Sequence, residues 1–147
     1  LAAILEDPSD ERFTDPGDLI SVGRVLEVLE REHLAEQVYA SDRLQQLPET
    51  DRQKSLLLRA KLQKRKGNLE EASALWRDAA SSGSLEAMIE LAKYFEHQLC
   101  DYDAAYQYTE KALSQCADPS LTNLLLHRKS RLETKLHKSI YGKNQLT

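Results

Sequence analysis

The sequence has few of the residues that make turns or cross-links. Its 147 residues include five Gly, four Pro and two Cys. So little Gly and Pro leaves little room for many loops or short strands, and this favours long helices. Cys100 and Cys116 have no nearby Cys or His at zinc-ligand spacing, so we expect free thiols, buried or half-buried, in a reducing cytoplasm.

Long apolar runs are missing as well. The leucine clusters 56–58 and 124–126 are far shorter than the about 20 apolar residues that span a bilayer. We therefore expect a chain without membrane segments. Its length is that of one domain with a sizeable core, and 41% hydrophobic with 30% charged residues is ordinary for a helical protein.

The sequence shows no catalytic constellation. The four histidines lie on separate predicted helices or ten residues apart on one, so no helical metal pair arises. There is no nucleophile with a plausible base and no glycine-rich phosphate loop. We expect no metal, no cofactor and no catalysis in this segment. The histidines are His33, His97, His127 and His137.

The sequence contains the pattern of one helical hairpin twice. Residues 101–112 repeat the pattern of residues 67–79, and Ala105 matches Ala72 at a distance of 33 residues. Trp76 and Thr109 then stand at equivalent positions, and the preceding helices match through Ala60 and Ala92, 32 residues apart. Such a period is typical of stacked helix pairs, because one hairpin cannot bury its own apolar stripe.

The apolar spacing predicts seven helices. Residues 1–17 are expected to be the end of an upstream helix and an acidic linker, and residues 18–147 the repeat domain; since the chain begins at Leu, we expect a fragment. Asp18 is the expected first cap, Gly67 a left-handed helix end, and Pro119 the first residue of a long capping helix. The predicted helices are 19–31, 34–47, 51–66, 69–81, 85–97, 101–116 and 118–142.

These residues resemble the tetratricopeptide repeat. Two copies carry the likeness, and Leu19, Val22, Gly23 and Leu26 look like the first helix of a third copy. The second helix of that copy departs from the pattern, with Gln37 and Ser41 where a small and a large apolar residue belong. The resemblance implies an all-α superhelix of about three antiparallel helix pairs with a concave groove. The two fuller copies are carried by Gly67, Asn68, Ala72, Trp76 and Ala79, and by Leu91, Ala92, Phe95, Tyr102, Ala105 and Ala112.

A narrower resemblance covers much of the chain. Residues 91–97, 101–105 and 109–113, followed by 127–136, are similar to the carboxy-terminal region of bacterial ribonuclease-H-like, DEDD-type exonuclease proteins. In those proteins a nuclease domain precedes helical repeats. The resemblance implies a nuclease parent, but nothing here matches its acidic metal ligands, so no activity is carried over to this segment.

A cation follows the small packing residue of each first helix. Arg24 follows Gly23, Lys61 follows Ala60, and Lys93 follows Ala92. In a tetratricopeptide-like fold this position would point into the groove and favour an acidic peptide or protein segment. The competing interpretation is a set of solvated helix faces. One turn on, the predicted groove also contains Lys64, Arg65 and His97.

Two other functions stay open at this point. The basic stretch 52–66 and the last helix would hold nucleic acid beside an upstream nuclease, or the module would serve structure or oligomerisation alone. The aromatic residues, Trp76 above all, are interpreted as packing residues, with Tyr106 and Tyr108 the most exposed. The candidate nucleic-acid contacts on the last helix are Arg128, Lys129, Arg131, Lys135 and Lys138.

Overall fold

The computed structural model describes residues 16–145 and confirms the all-α prediction. Within that range there is no β-strand, and no helix has the length and apolarity needed to cross a membrane. The expected upstream helix end, and the linker up to residue 15, lie outside the described residues. The helices are α1 (Pro16–Val28), α2 (Glu32–Tyr39), a 3₁₀ helix (Asp42–Gln46), α3 (Glu49–Arg65), α4 (Leu69–Ser81), α5 (Leu85–His97), α6 (Tyr102–Gln115) and α7 (Pro119–Asn144).

The chain divides into two compact units after Ser82. In the first unit, α1 packs on α2 and α3 packs on α4, while α2 also contacts α3. In the second unit, α5 packs on α6 and α6 packs on α7. Within each unit, short connections make these packed pairs antiparallel hairpins. The predicted helical-hairpin repeats are therefore present within both units.

Three hairpins share one kind of turn. The first helix of each is followed by a residue with positive φ: Glu30 at 58°, Gly67 at 82° and Cys100 at 51°. The next N–H then donates to a carbonyl five residues back in the first two hairpins and six back in the third. The longer turn accounts for the residue added there in the sequence. These bonds run from Arg31 to Leu26, from Asn68 to Gln63 and from Asp101 to Phe95.

The predicted helix over 34–47 is wrong, because α2 ends at Tyr39 and a separate 3₁₀ helix follows. Ser41 caps the start of the 3₁₀ helix, since its hydroxyl accepts a hydrogen bond from the Arg43 N–H at 3.4 Å. The first helix also differs: it begins at Pro16 and ends at Val28, so Asp18 lies in its first turn and is not its cap.

The extra 3₁₀ helix also explains an error of register. The small and large residues of the first hairpin are Ala35 and Tyr39, both buried, and they lie 37 residues before Ala72 and Trp76. Gln37 is exposed and Ser41 is only half-buried. The first hairpin therefore follows the repeat pattern, at a longer spacing than the sequence search assumed. The equivalent positions are Ala35, Ala72 and Ala105, and then Tyr39, Trp76 and Thr109.

The small residue on each first helix is buried, as predicted. Ala60 and Ala92 are fully buried, and Gly23 is buried beneath the ring of Tyr39. A Cβ atom built on Gly23 would lie 2.3 Å from Cε1 of Tyr39, a distance that no side chain can occupy. The close approach of α1 and α2 therefore requires glycine at this position.

We expect Gly23→Ala to lower the free energy of unfolding by about 1–3 kcal/mol, because the Tyr39 ring must move away from the added methyl group. Gly142→Ala is the matched control: it is also helical, but its added Cβ meets nothing within 4 Å. That variant should be as stable as wild type or gain up to about 1 kcal/mol. Urea denaturation followed by circular dichroism measures both, and equal effects would contradict the packing described.

Candidate binding surfaces

Two predicted groove cations lie on the first helices of the first unit. Arg24 and Lys61 are both exposed, each directly after a buried small residue. The salt bridge between Arg65 Nη2 and Glu27 Oε2, 3.1 Å long, joins α3 to α1. Arg24 lies one turn before Glu27, and Lys61 one turn before Arg65. The two first helices thus present these cations beside the same bridge.

Arg65 is held by two carboxylates. Its Nη2 lies 3.1 Å from Glu27 and 3.0 Å from Glu32, so its charge links α3 to the first hairpin. Glu27 also accepts a hydrogen bond of 2.6 Å from the Tyr39 hydroxyl. Burial, together with that bond and the charge of Glu27, raises the pKa of Tyr39 above its ordinary value. The hydroxyl therefore stays protonated and keeps donating.

Acidic neighbours balance much of the basic stretch 52–66. Besides Arg65, Lys66 pairs with Glu36 at 2.6 Å, Lys54 pairs with Asp51 at 3.5 Å, and Arg52 pairs with Glu49. Lys64 lies over the ring of Trp76, with Nζ 5.8 Å from the ring centroid. This stretch is accordingly less positive in the fold than its sequence indicates.

The remaining groove candidates belong to the second unit. Lys93 pairs with Glu90 at 2.7 Å on its own helix. His97 is exposed, with Nε2 3.7 Å from Oε2 of Glu96. The predicted ladder over all three hairpins extends across both units and stays a prediction.

The largest concentration of charge in the second unit surrounds the carboxylate of Glu96. This side chain of α5 is completely buried, yet it accepts four hydrogen bonds from α7. Arg131 binds it through Nε at 2.8 Å and Nη2 at 2.9 Å, and Lys135 binds it through Nζ at 3.0 Å. Arg128 completes the set through Nη1. We call these four residues the Glu96 cluster.

The cluster keeps Glu96 ionised. Burial alone would raise the pKa of this carboxyl, but hydrogen bonds from Arg131 and Lys135 and the charge of Arg128 outweigh it and lower the pKa to about 2. One negative charge thus faces three positive charges. At neutral pH the cluster carries a surplus of positive charge.

Sequence reasoning assigned Glu96 only a weakening effect on the groove. No local sequence signal identified Glu96 as the partner of α7, because the cations that bind its carboxylate lie 32 to 39 residues later in the chain. The sequence does predict the cationic face of α7: residues three and four apart share a helix face, which places Arg128, Arg131 and Lys135 together. It does not predict that their common partner lies on α5.

The other cations of α7 have different surroundings. Lys129 pairs with Glu110 at 2.7 Å, and that hydrogen bond raises its pKa. Its Nζ also lies 5.7 Å from the ring centroid of Tyr106. Lys138 is exposed one turn beyond the cluster. The predicted nucleic-acid set is therefore split, with Lys129 on another side of the helix.

The tyrosines differ from expectation. Tyr106 and Tyr108 are half-buried, and Tyr108 stacks on Phe95 with ring centroids 5.7 Å apart.

Of the two free thiols, Cys116 is half-buried as expected, whereas Cys100 is exposed. Among residues 16–145, no group of His, Cys, Asp and Glu could hold a metal ion.

Comparison with known proteins finds similarity over part of the chain. The chain is 39% identical over 80 residues to a Bacillus subtilis (strain 168) protein named "Uncharacterized protein YprB". The match covers 50% of this chain and 19% of that protein, so the chain spans about a fifth of the relative's length. No protein-family model matches the chain.

We expect the Glu96 cluster to stabilise the protein above the ordinary pKa of a glutamate and to lose this contribution as the pH falls from about 4.5 toward 2. The sign follows from a folded-state pKa below that of the unfolded chain. The shift corresponds to about 3 kcal/mol. Glu96→Gln should therefore cost about 3–5 kcal/mol at neutral pH, and its deficit against wild type should shrink in acid.

Urea denaturation across this pH range gives the deficit, and Glu110→Gln is the control because it removes an exposed acid partner of α7. That control should differ little from wild type throughout. A deficit of Glu96→Gln that is independent of pH would contradict the assignment. The carboxyl carbon shift of Glu96 in the wild-type protein, followed by NMR, reports the same titration without any substitution.

Proposed function

We propose that this chain is a non-catalytic helical-repeat module of tetratricopeptide type that binds an acidic segment of a partner protein. The observation that carries the proposal is the equivalence of Arg24 and Lys61. Each follows a buried small residue on a first helix, and each is exposed beside the bridge that joins α1 to α3. Successive hairpins thus offer a cation at the same position.

The cost of binding favours particular residues. Lys61 has no hydrogen-bond or ion-pair partner within residues 16–145, so an acidic ligand would bind it without breaking a bond there. Arg65 would first have to leave Glu27 and Glu32. We therefore assign recognition to Arg24 and Lys61, with support from Lys64, and assign Arg65 to the architecture of the surface.

Lys93 holds the corresponding position in the third hairpin. A ligand that engages it must displace Glu90, but an ion pair three residues apart on one helix contributes only about 0.2–0.5 kcal/mol. Such a pair is easily exchanged for a ligand carboxylate. Lys93 and its neighbour His97 therefore offer the same kind of contact to an acidic segment within the second unit.

Two considerations support binding over catalysis. The sequence offers no nucleophile beside a base and no phosphate-cradling loop. Repeated helical hairpins form extended surfaces, which suit the binding of a peptide segment. The resemblance to exonuclease proteins supports a role as an accessory segment of a larger cytoplasmic protein, and the relative's printed name adds no function.

Arg24→Glu combined with Lys61→Glu should weaken binding of a fluorescently labelled peptide rich in Asp and Glu at least about tenfold. Two charge-assisted contacts, each worth about 1.5–3 kcal/mol, become repulsions. Fluorescence anisotropy measures the dissociation constant. A neutral peptide of Gln and Asn provides the comparison ligand and should not bind.

The matched control is Arg52→Glu combined with Lys54→Glu, which changes the charge equally at the start of α3. Those cations already pair with Glu49 and Asp51, so binding should change less than threefold. Equal losses in both double variants would show attraction to net charge alone and would overturn the proposed surface. Absence of binding between the wild-type protein and the acidic peptide at low salt would overturn it as well.

A further inference from the structure

We propose that α7 provides a second binding surface, separate from the first helices, which takes the phosphodiester backbone of a nucleic acid. The surface consists of Arg128, Arg131 and Lys135 of the Glu96 cluster, continued by Lys138. It goes beyond the proposed peptide site, since its residues lie on α7 and not on the first helix of any hairpin.

The surplus charge of the cluster is the first argument. Glu96 accepts four hydrogen bonds, which fills the capacity of a carboxylate, and still leaves two positive charges unbalanced. Within residues 16–145, Arg131 donates to Glu96 through Nε and Nη2 but not Nη1, and Arg128 donates through Nη1 alone. Arg131 therefore keeps a donor for an external anion, whereas Arg128, whose side chain is 17% exposed, contributes mainly its charge.

Accessibility and order are the second argument. The side chains of Arg131 and Lys135 are 40% and 33% exposed, although their bonds to Glu96 fix their positions. A ligand would meet cations that are already ordered, so it would not pay the conformational entropy of fixing long side chains. Guanidinium groups held in this way suit the oxygen atoms of phosphate.

The shape of the surface favours a polyanion over a single acidic group. Residues 128, 131, 135 and 138 share one face of α7 and extend over about 15 Å at 1.5 Å per residue. Phosphates of one DNA strand follow one another every about 3.4 Å along the helix axis, so this row reaches several of them. Glu133, an acid of α7, is turned toward the hydroxyl of Tyr106, 3.4 Å away.

The contrast with the stretch 52–66 strengthens this assignment. Both segments are basic in sequence, but in the first unit Arg52, Lys54 and Lys66 each pair with one acid and Arg65 pairs with two. On α7, three cations share one buried carboxylate. The second arrangement leaves a positive surplus around a single carboxylate.

The test is fluorescence anisotropy of a labelled single-stranded DNA oligonucleotide with the purified chain, titrated at several salt concentrations. Lys135→Gln combined with Lys138→Gln should weaken binding at low salt about tenfold. Removing two phosphate contacts should also reduce the slope of log K against log salt by about 1.4. Lys138→Gln alone, which leaves the cluster intact, should reduce the slope by about half as much.

The matched control is Lys111→Gln combined with Lys129→Gln, which removes the same charge from outside the row. It should change binding less than threefold, and Arg24→Glu with Lys61→Glu should leave a site on α7 in place. Absence of oligonucleotide binding at low salt would overturn the proposal. Equal losses of binding in the row variant and the control variant would also overturn it. So would a row that binds a phosphorylated or acidic peptide but no oligonucleotide.

Discussion

The close approach of the two helices in each hairpin is the constraint from which the rest follows. Gly23 shows it most clearly, since the ring of Tyr39 occupies the space of a Cβ atom. Ala60 and Ala92 are the fully buried equivalents in the next hairpins. The following residue on each first helix is rotated by about 100° and leaves the packed seam. Packing of the small residue therefore decides where the cations Arg24, Lys61 and Lys93 emerge.

The cations of α3 and those of α7 are neutralised in two different ways. Arg65 at the end of α3 and the adjacent Lys66 pair with acids of α1 and α2, and these pairs tie the first two hairpins together. Cations of α7 converge on Glu96, whose burial would be costly without them. The same convergence that stabilises the second unit leaves it with a positive surplus, so one cluster serves packing and a candidate site.

The sequence predicted what depends on local spacing. The hairpins, the left-handed Gly67, the buried Trp76 and the start of α7 at Pro119 all agree with the structure. It failed at the first hairpin, because the inserted 3₁₀ helix lengthens the repeat to 37 residues and moves the large position from Ser41 to Tyr39. It also failed at Glu96, because an ion pair between distant segments does not change the apolar periodicity of either segment.

The central claim is that the exposed cations form two distinct surfaces, on the first helices and on α7. The most direct measurement is a pair of NMR titrations of the isotope-labelled chain, one with an acidic peptide and one with a single-stranded oligonucleotide, read from the backbone amide shifts. We predict that the peptide shifts amides around Arg24 and Lys61, whereas the oligonucleotide shifts those between Arg128 and Lys138. Shifts of one common set by both ligands, or of neither set, would contradict the claim.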